Sequence, residues 1–518
     1  MSVVILNVLC LGLTLCYGFP SEARLSRPSA VVNNTLVLGK TSRLPSAPHV
    51  TVDQFLGIPY AKSPPRRFEP PEDEYSFASP WDASYYRPSC FQYFANNEFE
   101  AIFNDPPLPE SEDCLYLNIF TPSIASSEAL PVLFWIHGGS FALGSARIPE
   151  YDGSSFAANQ GIVVVTINYR TNVFGFPSST DIPFERRNIG LLDQRKALSW
   201  VNNNIRAFGG DPSKITIFGE SAGAWSVKQL LIHPPSPPQF RAAILQSQAF
   251  GPRTDNQESW NTLARALGCT DLNSSSSTLG CVTKAPAQSV RAVLHDQGLG
   301  FTPVVDNATN GPMFRDAVEE NLVAQLPILI GTNANEGSIL ASVMPPSEVL
   351  LGGIFANDTD AMRLARSAYP INATDMELRS LITTDYTYTC TTSAIAHAAA
   401  SNRQNVWRYY FNASFSNNQP IPRAGAFHTS EIPLVFGTYR RDNKTTLEQV
   451  WLSESMQKAW GNFAKDPEVG PGWPAIGTSE NDLRVFQVDN PDCRLNFNEK
   501  LVDGICTYYN AQLWENGF

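Results

Sequence analysis

Apolar and polar positions along the chain follow two different periods. TLVLGKTSR (35–43) and HVTVDQFLGIPYA (49–61) read as short strands and turns, and a Pro- and aromatic-rich segment follows to about Pro109. LYLNIFTP (115–122) and LPVLFWIHGG (130–139) read as strands. GIVVVTINYR (161–170) is a nearly continuous β-branched run, the signature of a strand buried on both faces. Leu191 to Phe208 has amphipathic helical spacing and stops at Gly209-Gly210. Then come a strand, KITIF (214–218), a helix from Ala222 to Ile232, and a strand in FRAAILQSQ (240–248). PILIGTNANEG (327–337) is a strand running into a loop, and VWRYYFNAS (406–414) a late strand. Such alternation predicts an α/β fold, a mostly parallel central sheet flanked by helices. The long stretches between the later strands predict helical cap insertions over its carboxyl edge. With no internal repeat and no long linker, residues 19–518 are expected to form a single α/β domain.

Composition is that of a globular protein, 43% hydrophobic and 17% charged. The net charge of -12 argues against nucleic acid and against an anionic lipid surface as partners. Residues 1–18, MSVVILNVLCLGLTLCYG, are apolar, uncharged and short for a membrane span. They read as a secretory signal peptide cut between 18 and 23, which implies an extracellular protein without a stable membrane anchor. Seven cysteines follow the leader. Cys90 with Cys114 and Cys269 with Cys281 are close pairs in loop-like sequence and read as disulfides. Cys390 has Cys493 or Cys506 as a partner, or the last two pair together; the odd count leaves one over. No C-x-x-C or histidine cluster suggests a metal, and no cofactor is expected. Sequons begin at Asn33, Asn273, Asn307, Asn357, Asn372, Asn412 and Asn443, which is compatible with a secreted glycoprotein.

Between KITIF and the helix that follows lies Gly219-Glu220-Ser221-Ala222-Gly223. A serine on a sharp strand-to-helix turn exposes its hydroxyl at the carboxyl end of a sheet, at a helix N-terminus that favours developing negative charge. A hydroxyl nucleophile needs a base, and the chain holds six histidines. In the order serine, acid, histidine, His49 and His137 come too early. His233 lies past the end of the nucleophile's own helix, and His295 and His397 sit in helix-like stretches. His428, in the loop AGAFHTSEIP, remains as the candidate base. Glu336, in the loop after PILI, stands where an orienting carboxylate belongs. Gly138, Gly139 and Ser140 form a Gly-rich loop after a strand, whose N–H groups with that of Ala222 suit an oxyanion.

FLGIPYAKSPPRRFEPP, SEDCLYLNIFTP, WIHGGSFALGS, NYRTNVFGF, FGGDPSKITIFGESAGAWS, GTNANEGS and FHTSEIPLVFG occur in this order between about residues 56 and 437. In these motifs the chain resembles the type-B carboxylesterase/lipase family, which includes cholinesterases, and its motif style is most similar to secreted fungal carboxylesterases. The resemblance implies the α/β-hydrolase fold and hydrolysis of carboxylic esters. It implies Ser221 as nucleophile, Glu336 as acid, His428 as base, and Gly139, Ser140 and Ala222 as oxyanion donors. It also implies disulfides Cys90–Cys114 and Cys269–Cys281, polar floor residues Glu220 and Ser247, and a buried acid, Glu431. Phe141, Trp225 and Phe250 are candidate substrate-binding walls.

Three departures from the family pattern narrow the expectation. The oxyanion loop is Gly-Gly-Ser rather than three glycines, which keeps a backbone donor at Ser140. The tryptophan that holds choline in cholinesterases is replaced by Asn104, beside Phe103, which argues against choline esters. The first loop encloses only residues 91–113, shorter than the lid of lipase members. A secreted, monomeric serine esterase for small, soluble or short-chain esters is therefore expected, with activity falling below roughly pH 6 as the histidine is protonated. A lipase for acylglycerols is the alternative reading. A non-catalytic binding protein is disfavoured, because all three catalytic positions are intact.

Overall fold

Fourteen strands can be followed in the computed structural model, which describes residues 27–73, 77–104, 106–124, 127–249, 255–269, 277–489 and 495–516. The expected leader, Phe250, the sequon at Asn273 and Cys493 lie outside the described residues. In chain order the strands are β1 (Ser29–Val32), β2 (Thr35–Leu38), β3 (Lys40–Leu44), β4 (Ala47–Pro59) and β5 (Trp81–Asp82). Next come β6 (Tyr116–Pro122), β7 (Leu130–Ile136), β8 (Val163–Ile167), β9 (Gly210–Glu220) and β10 (Ala242–Gln246). The last are β11 (Ile328–Asn333), β12 (Val406–Asn412), β13 (Leu483–Gln487) and β14 (Asn496–Phe497). β1, β2 and β5 form a small separate sheet. The other eleven form one sheet in the order β3-β4-β6-β8-β7-β9-β10-β11-β12-β13-β14. From β8 to β13 every neighbouring pair is parallel; the pairings at both ends are antiparallel.

Period-two side-chain alternation divides the core between the two faces of this sheet. On β7, Val132, Phe134 and Ile136 point to one face and Leu133 and Trp135 to the other. Every residue of β8 is buried, as its unbroken apolar run predicts. The helices Ile189–Asn204 and Ala222–Ile232 cover the first face, and Ser154–Gln160 and Leu447–Lys465 the second. Arg170, just past β8, is pinned to Asp193 of the first of these helices at 2.6 and 2.8 Å, a buried pair that fixes helix against sheet.

Parallel strands bring their carboxyl ends to one edge. β7 ends before His137-Gly138-Gly139-Ser140, β9 before Ser221, β10 before Ser247, and β11 before the short 3-10 turn Glu336–Ser338. Long helical insertions separate β10 from β11 and β11 from β12, as the sequence leads one to expect. The disulfides Cys90–Cys114 and Cys269–Cys281 are formed. A third, Cys390–Cys506, decides between the alternatives the sequence leaves open and joins residues 116 apart in the chain.

Candidate active site

The turn carrying Ser221 is tight enough to dictate its neighbours. Ser221 has φ 56° and ψ -122°, a conformation a side chain adopts only under constraint. Its N–H donates to Gln246 O (2.9 Å) and its carbonyl accepts from Trp225 N–H (2.9 Å), clamping it between β10 and its own helix. A Cβ on Gly219 would lie 2.5 Å from the Gly223 carbonyl carbon, and one on Gly223 would lie 2.0 Å from Ile136 O. Both glycines are thus required by backbone contact. The helix begins at Ala222, so the Ala222 N–H has no acceptor within it.

Behind the serine, Glu336 and His428 meet although 92 residues separate them. His428 Nδ1 lies 2.7 Å from Glu336 Oε2. Glu336 Oε1 accepts from Ser247 Oγ (2.6 Å) and from the Asn333 N–H (2.7 Å), so the carboxylate is held from both sides. Glu431 supports the same corner: it accepts from Asn333 Nδ2 (2.6 Å) and Gln246 Nε2 (2.9 Å), and Gln246 in turn accepts from Trp460 Nε1 (3.0 Å). Burial raises the Glu431 carboxyl above its ordinary range, and the charge of Glu336 adds to that.

Glu220, 1% exposed, approaches the other side of the imidazole, with Oε1 3.2 Å from His428 Nε2. Burial alone pulls His428 down, but the carboxylates of Glu220 and Glu336 outweigh it and lift the imidazole to about 9. Burial also pushes Glu220 up to about 8, while His428 acts in the opposite sense. The two buried groups titrate as a pair. The carboxylates around His428 keep its imidazole protonated to higher pH than that of an ordinary histidine.

Ser221, His428, Glu220, Gly139 and Ser140 all line one cavity of about 350 Å³. Gly139 has φ 103°, and a Cβ there would sit 2.3 Å from Leu143 O, so the loop needs glycine. Ser140 also has a positive φ, 54°, which accounts for the glycine common at this place in the family pattern. Phe141 and Trp225 are not on the wall. They pack edge to face against each other at 5.2 Å, and Phe141 also against Phe176, inside the core. The expectation that they bind substrate is corrected accordingly: the backbone of Ser140 and Phe141, both at positive φ, turns the phenyl ring inward.

The aromatic wall comes instead from Tyr93, Phe99, Phe103, Tyr151, Phe301 and Tyr388, which residue patterns did not reveal. Phe99 and Phe103 sit on the helix Asn97–Phe103 inside the first disulfide loop. Asn104 closes that helix, its Oδ1 accepting from Leu108 N–H (3.1 Å), and faces an adjoining cavity rather than the one with Ser221.

The remaining histidines stay apart from this corner. His137 is buried against Tyr169, ring centroids 4.3 Å apart, and burial pushes it down to about 4. His397 joins Glu499 (3.1 Å) near Asp503, but Arg408 pairs with both carboxylates, which makes the cluster an ion-pair network. Among the described residues no helix is long and apolar enough to cross a membrane.

A parallel sheet with a strained serine elbow, flanked by helices on both faces, defines an α/β-hydrolase. The chain belongs to the carboxylesterase family, whose model matches residues 26–503, and it is a carboxylic ester hydrolase. It is 30% identical over 500 residues to secreted lipase 5 of Gibberella zeae, an alignment covering 87% of this chain and 89% of that protein. It is 33% identical over 573 residues to the acetylcholinesterase of Electrophorus electricus (94% and 88% covered). To the para-nitrobenzyl esterase of Bacillus subtilis it is 34% identical over 463 residues (84% and 91% covered).

Proposed function

We propose that the protein is a secreted serine esterase working through an acyl-enzyme, with Ser221 as nucleophile, His428 as base and Glu336 as its orienting acid. The reading is carried by one observation: Ser221, on its strained elbow, and His428, bonded to Glu336, open onto the same cavity. In this scheme Ser221 Oγ attacks the ester carbonyl carbon while His428 Nε2 takes its proton. Glu336 accepts the Nδ1–H and stabilises the imidazolium. The N–H groups of Gly139, Ser140 and Ala222 receive the oxyanion, and removing one such donor typically lowers turnover on the order of 10²–10³-fold. The alkoxide leaves with the proton from His428. Water, deprotonated by the same imidazole, then releases the acid and restores Ser221.

The three disulfides and the secreted lipase among the relatives support an extracellular location, with residues 19–518 as one hydrolase unit. Small, soluble or short-chain esters fit a cavity of this size and the short first disulfide loop. A lipase is the second reading, favoured by the mostly apolar wall and by the name of the Gibberella zeae relative. Ser221→Ala should abolish p-nitrophenyl acetate cleavage and labelling by a fluorophosphonate; retention of most activity would sink the assignment. Rates measured through the solubility limit of tributyrin separate the two readings, since a jump on emulsification marks the lipase.

A further inference from the structure

Residues Thr383–Cys390 form a π-helical segment, entered from the helix Asp375–Ile382 and leading into the helix Thr391–Ser401. π-Helical turns are rare, and they recur at functional sites. This one contacts His428 and the residue next to Glu336. Thr384 Oγ1 accepts the N–H of Gly337 at 2.9 Å, and Gly337 directly follows Glu336 in its 3-10 turn. A Cβ on Gly337 would lie 2.1 Å from Ser380 O, so that turn rests on helix backbone. Four residues after Thr384, Tyr388 lays its ring against the His428 imidazole, with centroids 4.9 Å apart and planes at 45°. Tyr388 is buried and lines the cavity.

The far end of the segment is anchored covalently, Cys390 being bonded to Cys506. Asp503, three residues before Cys506, receives Ser393 Oγ (2.7 Å) and Arg408 Nη2 (2.6 Å). The support behind Tyr388 is therefore fixed to β12 and to the C-terminal stretch.

We infer that Tyr388 is a positioning residue for His428, and that the π-helical segment sets the acid and the base against each other. The inference rests on the reading of His428 as the base. The imidazole is tethered at one end only, through Nδ1 to Glu336. Its Nε2 has two directions open to it, the cavity and Glu220 Oε1 at 3.2 Å. A ring tilted against it at 4.9 Å limits the swing between them, and a misplacement of about 1 Å is enough to slow such chemistry on the order of 10²-fold. Nothing in the run Thr387-Tyr388-Thr389-Cys390 and its surroundings signals this role, because Tyr388 and His428 meet only through the packing of the cap on the sheet.

The test compares wild type, Tyr388→Ala and Tyr388→Phe on p-nitrophenyl acetate across pH, with active sites counted by fluorophosphonate titration. Tyr388→Ala should lower kcat per titrated site by about 10–100-fold while KM changes by less than about threefold. The rate constant for fluorophosphonate inactivation should fall by a similar factor. Tyr388→Phe, which restores the ring, should recover most of the loss. A merely structural role would reduce the number of titrated sites and the melting temperature but leave kcat per site at the wild-type value, and that result overturns the inference. If Tyr388→Ala does not fold, Tyr388→Leu, which retains bulk without an aromatic face, must show the same split. Activity surviving in His428→Ala would instead refute the assignment of the base, a separate failure.

Discussion

Glu220 stands 3.2 Å from the Nε2 of His428, on the side of the imidazole opposite Glu336. A base flanked by two buried carboxylates is protonated at higher pH than one flanked by a single carboxylate. Replacing Glu220 with glutamine removes one stabiliser of the imidazolium, so the pKa of His428 falls from its raised value near 9. The acid limb of kcat/KM should move to lower pH, by about 1–3 units for one close charge. A pH–rate profile of Glu220→Gln against wild type checks both sign and size.

Ser247 is hydrogen-bonded to Glu336. Its hydroxyl donates to Glu336 Oε1 at 2.6 Å from a backbone at φ 50°. Ser247→Ala leaves that oxygen with the Asn333 N–H alone, a loss of about 1–2 kcal/mol in the orientation of the pair. We expect kcat to fall about tenfold with little change in KM. Steady-state kinetics on one soluble ester suffices.

The elbow glycines carry a steeper prediction. Gly223→Ala places a methyl 2.0 Å from Ile136 O, a backbone atom of the neighbouring strand that has no room to yield. The serine turn must then open, with a loss of more than about 4 kcal/mol in stability and of measurable activity. Thermal melting and fluorophosphonate labelling should both reveal it; a variant that melts and labels like wild type contradicts the geometry.

The disulfides should differ in weight. Cys390–Cys506 spans 116 residues and Cys269–Cys281 only 12. Loop-closure entropy gives about 4.7 kcal/mol for a 100-residue loop and about 3 kcal/mol for one of 15. The double serine variant of the first pair should therefore unfold at lower denaturant than that of the second, in midpoints measured under non-reducing conditions.

Much of the sheet was legible because its strands bury both faces and its turns carry glycine. The helix Ala222–Ile232 has the bounds its sequence predicts. Elsewhere tertiary pairing overrode the pattern. β9 starts at Gly210 rather than Lys214, because Gly210 pairs with Leu130 before a register shift at Val132. The expected helix to Phe208 changes at Ile205 into a 3-10 turn. β13 was not anticipated, since Arg484 interrupts its apolar run; in the fold that guanidinium lies over Trp473 at 5.1 Å. Order and loop position single out Ser221, Glu336 and His428, and the fold brings these three to one corner. The wall could not: Tyr93, Phe301 and Tyr388 belong to distant segments, and only the packing of cap on sheet brings them together.

The cavity's origins have a further consequence. Ser221 and Glu336 follow the ends of β9 and β11, His428 sits in the loop after β12, and the corner of Glu336 is braced from the core by Trp460, Gln246 and Glu431. The aromatic wall belongs to insertions that run outside those strands. The serine elbow and most of the wall are thereby encoded in separate stretches of the gene, although Tyr388 belongs to the wall and also packs against His428. Mutation can redraw those insertions away from Tyr388, and with them the lining of the cavity, while the elbow stays in place.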